Sequence, residues 1–142
     1  MKISPAAEFA VRGAVFLAEQ YGNGPTTLDS ICKAQDLSKQ YLVKIFSSLV
    51  RAGLITPVRG KRGGYLLARD PSKISILNLM EAVEGPIAVN FCQHDPPRCD
   101  RTDCALRSMW SEIQEFLCAK LGSTTLEQCL DADEPDLLGQ LN

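Results

Sequence analysis

Apolar residues recur along most of this chain at intervals of three and four, the spacing that keeps one face of a helix dry. Ser4-Pro5 opens the first such segment, with serine suited to the cap and proline to the first turn. Phe9, Ala10, Ala14, Phe16 and Leu17 then follow at helical spacing, and GNGP at 22–25 ends the run. Thr27 caps a short helix with Leu28, Ile31 and Cys32 on one face, which makes Cys32 a packing residue. After Gln35-Asp36-Leu37, Ser38 caps a third helix predicted to reach Ala52 and stop at Gly53. It buries Leu42, Ile45, Phe46 and Leu49 and leaves Lys39, Gln40, Val43, Lys44 and Ser47 outside. Two short helices joined by a brief turn, the second polar and basic near its start, describe a helix-turn-helix.

The period then changes. Leu54 to Val58 and Tyr65 to Ala68 read as two strands, joined by the glycine- and cation-rich turn Arg59-Gly60-Lys61-Arg62-Gly63-Gly64. Such a hairpin after a helix-turn-helix is a wing. Helical spacing resumes at Ser75, which caps a segment carrying Ile76, Leu79, Met80 and Val83 and closed by Gly85-Pro86. Beyond Cys104, Leu106, Trp110, Ile113 and Leu117 recur at alternating steps of four and three, the seam of a helix that packs lengthwise on another, here read as a dimer arm. Thr124 and Glu127 have capping-box spacing for a last short helix, and the acidic DADEPD run after it is expected to fray.

The predicted fold is therefore mainly α with a small β-hairpin wing: a winged helix-turn-helix with a long C-terminal dimerisation helix. Its divisions are the DNA-binding domain at 1–73, a connecting helix at 74–91, a cysteine loop at 92–104, and the dimerisation helix and tail at 105–142.

Charge strengthens the nucleic-acid reading once it is resolved along the chain. The net charge is only −2, yet residues 33–73 hold nine Lys or Arg against Asp36 and Asp70, while residues 74–142 hold four basic and twelve acidic residues. A basic module joined to an acidic half suits a phosphate-binding domain with a regulatory extension. Ser38, Lys39, Gln40, Tyr41 and Lys44, at the start of the third helix, are the candidate DNA contacts of the recognition helix. Arg59, Lys61 and Arg62 can reach phosphates or a narrow minor groove.

With 45% apolar and 23% charged residues, 142 residues suit one domain with a modest core. Glu8, Arg12 and Glu19 interrupt the N-terminal apolar run, so neither a signal peptide nor a membrane span fits, and a cytoplasmic protein is expected. Six cysteines without an export signal then point to metal binding or redox chemistry rather than a disulfide scaffold. Cys92, Cys99 and Cys104 stand among prolines and charged residues that would make a poor core segment. Thiolates are soft donors for iron–sulfur clusters or zinc, but the usual sites of both kinds take four protein ligands, so a fourth must come from elsewhere. A zinc site or a thiol redox switch remains the alternative use of the triad. Cys118 and Cys129 read as packing. No nucleotide-binding glycine motif and no Ser/His/Asp set is present, and His94 is the single histidine, so no enzyme is expected.

The order of helix, helix-turn-helix, VRGKRGGYLLARDPSKISILNLMEAVEG, cysteine triad and long helix resembles the Rrf-two family of winged-helix regulators, the group of the IscR, NsrR and RirA types. The resemblance covers nearly the whole chain. It implies a homodimer joined through the C-terminal helices, a palindromic double-stranded operator, and a [2Fe-2S] or [4Fe-4S] cluster held by Cys92, Cys99 and Cys104 that senses iron, redox state or nitric oxide. Two departures bear on the fourth ligand. The IscR-like branch uses a histidine three residues after the third cysteine, where Arg107 stands here. The nitric-oxide branch takes a carboxylate from the first helix of the partner subunit, a position that Glu8 matches, while His94 inside the loop is the other candidate. A third departure is Val43, where the IscR-like branch carries an acidic residue that helps discriminate operators.

Overall fold

The computed structural model describes residues 3–131. Helices α1 (Pro5–Glu19), α2 (Leu28–Gln35) and α3 (Lys39–Arg51) precede a two-stranded antiparallel hairpin of β1 (Ile55–Val58) and β2 (Gly64–Leu67). A single 3-10 turn at Pro71–Lys73 leads into α4 (Ile76–Glu84), and a second at Phe91–Gln93 opens the cysteine loop. The chain continues as α5 (Arg107–Ser123) and α6 (Leu126–Leu130). The mainly helical, winged architecture matches the expectation. Hydroxyls of Ser4, Thr27, Ser38 and Ser75 accept from backbone N–H groups of Ala7, Ser30, Tyr41 and Asn78, so the helix starts read from those side chains hold.

The core forms where α1 crosses the helix-turn-helix. Small residues on α1 (Ala7, Ala10, Gly13, Ala14) let its backbone approach α3 and α4 closely. A Cβ at Gly13 would lie 2.8 Å from the Phe46 ring, so this contact depends on glycine. Phe46, Leu42 and Leu49 of α3, Ile31 of α2, Ile55 of β1 and Leu79 of α4 are at most 1% exposed. At roughly 1.5–3 kcal/mol for each large apolar side chain buried, this shared face fixes the angle of α3 to its neighbours.

Two readings of the C-terminal third change. The last helix packs into the core: Leu126 is fully buried among α1 residues of the same cluster. Backbone bonds lock it there, from Leu126 N–H to Ile74 O at 2.9 Å and from Ile76 N–H to Thr124 O at 2.9 Å. The same pinning moves its cap by one residue. Thr125 pairs with Ser75 across an isolated bridge and forms the capping box with Gln128, while the Thr124 hydroxyl donates back to Lys120 O at the end of α5. The acidic run beyond Asp131 lies outside the described residues.

The seam on α5 also divides. Leu106 and Ile113 are exposed, but Trp110 and Leu117 turn towards the body of the protein. Met109 and Phe116 take their places, so the solvent-facing stripe is Leu106, Met109, Ile113 and Phe116, with Phe116 75% exposed. Steps of three, four and three still make a lengthwise apolar strip. Leu117 is withdrawn from it because α4 packs on that side of α5, where Leu117 shares a groove with Met80 and Pro86.

Candidate nucleic-acid interface and thiol cleft

The exposed side of α3 carries Lys39, Gln40, Val43, Lys44 and Ser47, the residues the helical period had placed outside, together with Tyr41. Ser38 caps this helix, and its first turn borders a shallow surface groove lined by Ser38, Lys39, Gln40, Tyr41, Val43 and Lys44. A second groove runs from Val43 and Lys44 along Ser47 and Arg51 to Pro57 and Tyr65 of the wing. The recognition helix and wing thus present one continuous surface. Two contacts hold them in register. Tyr65 meets the buried Phe46 edge to face, and its backbone exchanges two hydrogen bonds with Thr26 (2.8 and 3.0 Å), which ties the wing to the start of the helix-turn-helix.

Gly64 makes that second contact possible. A Cβ there would lie 2.2 Å from the Thr26 carbonyl oxygen, far inside contact distance. At the tip, Gly60 has φ of 111°, a left-handed conformation natural to glycine, and Arg59, Lys61 and Arg62 beside it are exposed. Among the described residues neither these cations nor Lys44 enters an ion pair. Lys39 does: its Nζ lies 2.7 Å from Asp29 on α2, and that hydrogen bond raises its pKa above the ordinary 10.5. Lys39 is thus paired with α2 at the exposed surface.

The second cluster lies at the junction of the loop and α5. Cys92, Cys99 and Cys104 line one cleft of about 220 Å³, with Arg98, Arg101 and Arg107 around it and Leu106, the N-cap of α5, and Trp110 along one side. All three thiols are free and half-buried. Gln93 donates from Nε2 to Cys92 Sγ at 3.4 Å and to Ser111 Oγ at 3.3 Å, which fastens the loop to α5. Gln114 adds a second clamp. It accepts from Val89 N–H at 2.9 Å and donates to the Ile87 carbonyl.

The two candidate fourth ligands stand elsewhere. His94 stacks against Phe91 with centroids 6.5 Å apart and lines the grooves on the α4 side with Glu84, not the thiol cleft. Glu8 is exposed on α1, and its carboxylate lies 3.6 Å from Arg12 Nη1. Arg12 in turn donates to the Gln35 side chain at 3.0 Å and to its backbone carbonyl at 3.4 Å, and sits 5.8 Å from the Phe9 ring centroid. Phe9 then meets Tyr41 of α3 edge to face at 5.7 Å. One face of α1 therefore runs from Glu8 to the recognition helix.

Cys118 and Cys129 take no part in the cleft. Burial pushes both thiols up, with Glu81 adding to the shift at Cys118. The sequence reading missed the arginines. Their signal was local, since Arg98, Arg101 and Arg107 each stand within three residues of a loop cysteine.

The chemistry of the cleft suits a thiolate-held iron–sulfur cluster: three soft donors, and guanidinium groups to offset the negative charge that thiolates bring. Among the described residues no three His, Cys, Asp or Glu side chains stand close enough together to hold a metal ion. No helix among them is long and apolar enough to cross a membrane.

A helix-turn-helix packed on a buried core, a hairpin locked to it and exposed cations on both define a winged-helix DNA-binding protein. The chain belongs to the Rrf2 family, described as iron-dependent transcriptional regulator, whose profile matches residues 3–132. It is 36% identical over 128 residues to the HTH-type transcriptional regulator CymR of Bacillus subtilis, covering 89% of this chain and 88% of that protein. It is 32% identical over 135 residues to IscR of Xenorhabdus nematophila, covering 94% and 82%. Among solved structures, CymR of B. subtilis, described as the global cysteine regulator, superposes with a TM-score of 0.83 at 32% identity over 94% of this chain and 99% of that one. IscR of T. potens gives 0.77 at 31% identity over 94% and 89%. The protein is a DNA-binding transcriptional regulator and not an enzyme.

Proposed function

We propose that this regulator works as a cytoplasmic homodimer on palindromic DNA, and that an iron–sulfur cluster held by Cys92, Cys99 and Cys104 controls its operator affinity. The observation that carries the reading is the meeting of all three thiols in one cleft at the foot of α5. The exposed stripe from Leu106 to Phe116 gives the second subunit an apolar strip to pack on. A dimer also supplies the missing donor, because Glu8 lies on an exposed face that a second subunit can bring to the cleft. The cluster, when bound, supplies a centre sensitive to iron supply, redox state and nitric oxide. The protein's own residues carry the consequence. Engaging Glu8 elsewhere removes the carboxylate from Arg12, and Arg12 touches both Gln35, at the end of α2, and Phe9, which packs on Tyr41. The recognition helix thereby responds to the occupancy of the thiol cleft.

A metal-free thiol switch, or a zinc site, is the second reading. It is favoured by the lack of a fourth thiol or imidazole in the cleft and by the similarity to a regulator described as the global cysteine regulator. Anaerobic purification followed by iron, zinc and acid-labile sulfide analysis separates the readings. Iron and sulfide in matching amounts support the cluster. Zinc alone, or no metal in protein that binds its operator, removes it.

A further inference from the structure

The lining of the thiol cleft carries more than sulfur. Arg98, Arg101 and Arg107 border it together with Asn90, and no carboxylate does: Asp95, Asp100 and Asp103 of the same loop lie outside the lining. None of the three arginines forms an ion pair among the described residues, although Arg98 also lines the neighbouring groove with Glu81, Glu84 and Asp95. The start of α5 contributes its N-cap Leu106 together with Arg107 and Trp110; Arg107 N–H already donates to Cys104 O at 3.0 Å, but no side chain caps the helix, so its positive end still faces the same place. A cleft walled by one sign of charge concentrates counter-ions and speeds their encounter with whatever it encloses.

We propose that the cleft is a binding site for small anions, and that its three arginines select anionic reagents, an acidic disulfide being the simplest, for reaction with Cys92, Cys99 and Cys104. The inference rests on the reading above only in taking this cleft as the sensory site. It concerns the protein's own side chains and holds for the metal-free form. In the reaction with a disulfide, a cysteine thiolate attacks one sulfur, a new Cys–S–S–R bond forms, the old S–S bond breaks and R–S⁻ leaves, so no further oxidant is needed. A carboxylate on R would sit among the guanidinium groups, while a neutral or cationic disulfide would gain nothing. Arg107, in the first turn of α5, holds the anion against the helix. Arg98 and Arg101 flank Cys99 on either side in the sequence.

The test uses full-length, reduced, metal-free protein and a matched pair of alkylating agents, iodoacetate and iodoacetamide. Both form an S–C bond with expulsion of iodide and differ mainly in charge. Each meets the same thiolate population, so the ratio of their rate constants at a given cysteine is independent of its ionisation. Peptide mapping by mass spectrometry would give that ratio for each triad thiol in native protein, in denatured protein and at high salt. The native ratio is expected to exceed the denatured one by roughly tenfold, the low end of the enhancement a charged cleft provides, and to collapse as salt shortens the range of the field. An Arg98→Gln/Arg101→Gln/Arg107→Gln variant with an unchanged circular dichroism spectrum should lose the excess, while the ratio at Cys129 stays constant. Equal ratios in native and denatured wild-type protein would overturn the proposal without any variant, and so would an excess that survives in the triple variant. The iron and sulfide analysis stands apart from these rates. Charge selectivity in a protein that never holds iron would retain this site and reject the cluster, and the converse is equally readable.

Discussion

Phe46 of the recognition helix and Tyr65 of the wing meet edge to face, with ring centroids 4.9 Å apart and planes at 82°. Phe46 is fully buried, whereas Tyr65 is half-buried and opens onto the groove between helix and wing. The pair makes the wing an extension of the helix-turn-helix core. Phe46→Ala should destabilise the domain by about 3–5 kcal/mol through reduced burial and a residual cavity. Tyr65→Ala should cost less stability but a larger share of operator affinity relative to that cost. A double-mutant cycle read by chemical denaturation should give a coupling of about 0.5–1.5 kcal/mol. Strict additivity would mean that the rings touch without holding the wing.

Gly64→Ala should separate wing docking from wing charge. The added methyl meets the Thr26 carbonyl at 2.2 Å, so the two Thr26–Tyr65 hydrogen bonds have to open while Arg59, Lys61 and Arg62 remain. Hydrogen exchange at the Tyr65 amide should speed up and operator affinity should fall. An unchanged exchange rate in the variant would show that the bridge tolerates the methyl.

Lys61→Ala/Arg62→Ala removes charge from the exposed wing tip without touching the core. Log affinity for DNA should become less steep in log salt by roughly 0.9 for each phosphate that the variant no longer neutralises, summed over both subunits. Fluorescence anisotropy across a salt series gives the slope directly. Retention of both affinity and slope would take the wing tip off the DNA.

Replacing Cys92, Cys99 or Cys104 with Ala should abolish the visible absorbance of anaerobically prepared protein, while Cys32, Cys118 and Cys129 variants stay coloured. Glu8→Ala should leave a folded protein that loses iron faster. If His94→Ala loses iron and Glu8→Ala behaves as the parent does, the fourth donor is the imidazole and the route through Arg12 has no role.

Asp70 offers a pH-dependent handle near the wing. Its Oδ1 accepts from the Ser72 hydroxyl at 2.6 Å and from the Ser72 N–H at 2.9 Å, which holds the carboxyl below its ordinary 3.8. A folded value below the unfolded one stabilises the protein above the unfolded pKa, and the benefit disappears as pH falls through the folded value. Asp70→Asn should therefore flatten the fall in stability below about pH 4, as read by thermal melts at stepped pH. Parallel curves for the two proteins would show that the turn survives protonation.

Local signals in the sequence determined most of the secondary structure. A hydroxyl before an apolar run fixes a helix start because it satisfies N–H groups only a few residues away, and Ser4, Thr27, Ser38 and Ser75 all do so. The outward set on α3 and the glycine-rich wing were legible for the same reason, since period and turn chemistry act within a few residues. Tertiary structure decided what lies between elements. Thr125 rather than Thr124 caps α6 because Ser75, fifty positions earlier, pairs with it, and Leu126 joins the core because Ile74 holds its backbone. On α5, Leu106, Met109, Trp110, Ile113, Phe116 and Leu117 span too wide an arc for one seam, and only the packing of α4 shows which of them it withdraws from solvent. The three thiols could be named from sequence. Arg98, Arg101 and Arg107 stand close to those thiols in the sequence, but so do Asp95, Asp100 and Asp103, and only the way the loop folds back on the start of α5 puts the arginines in the cleft lining and leaves the carboxylates out of it.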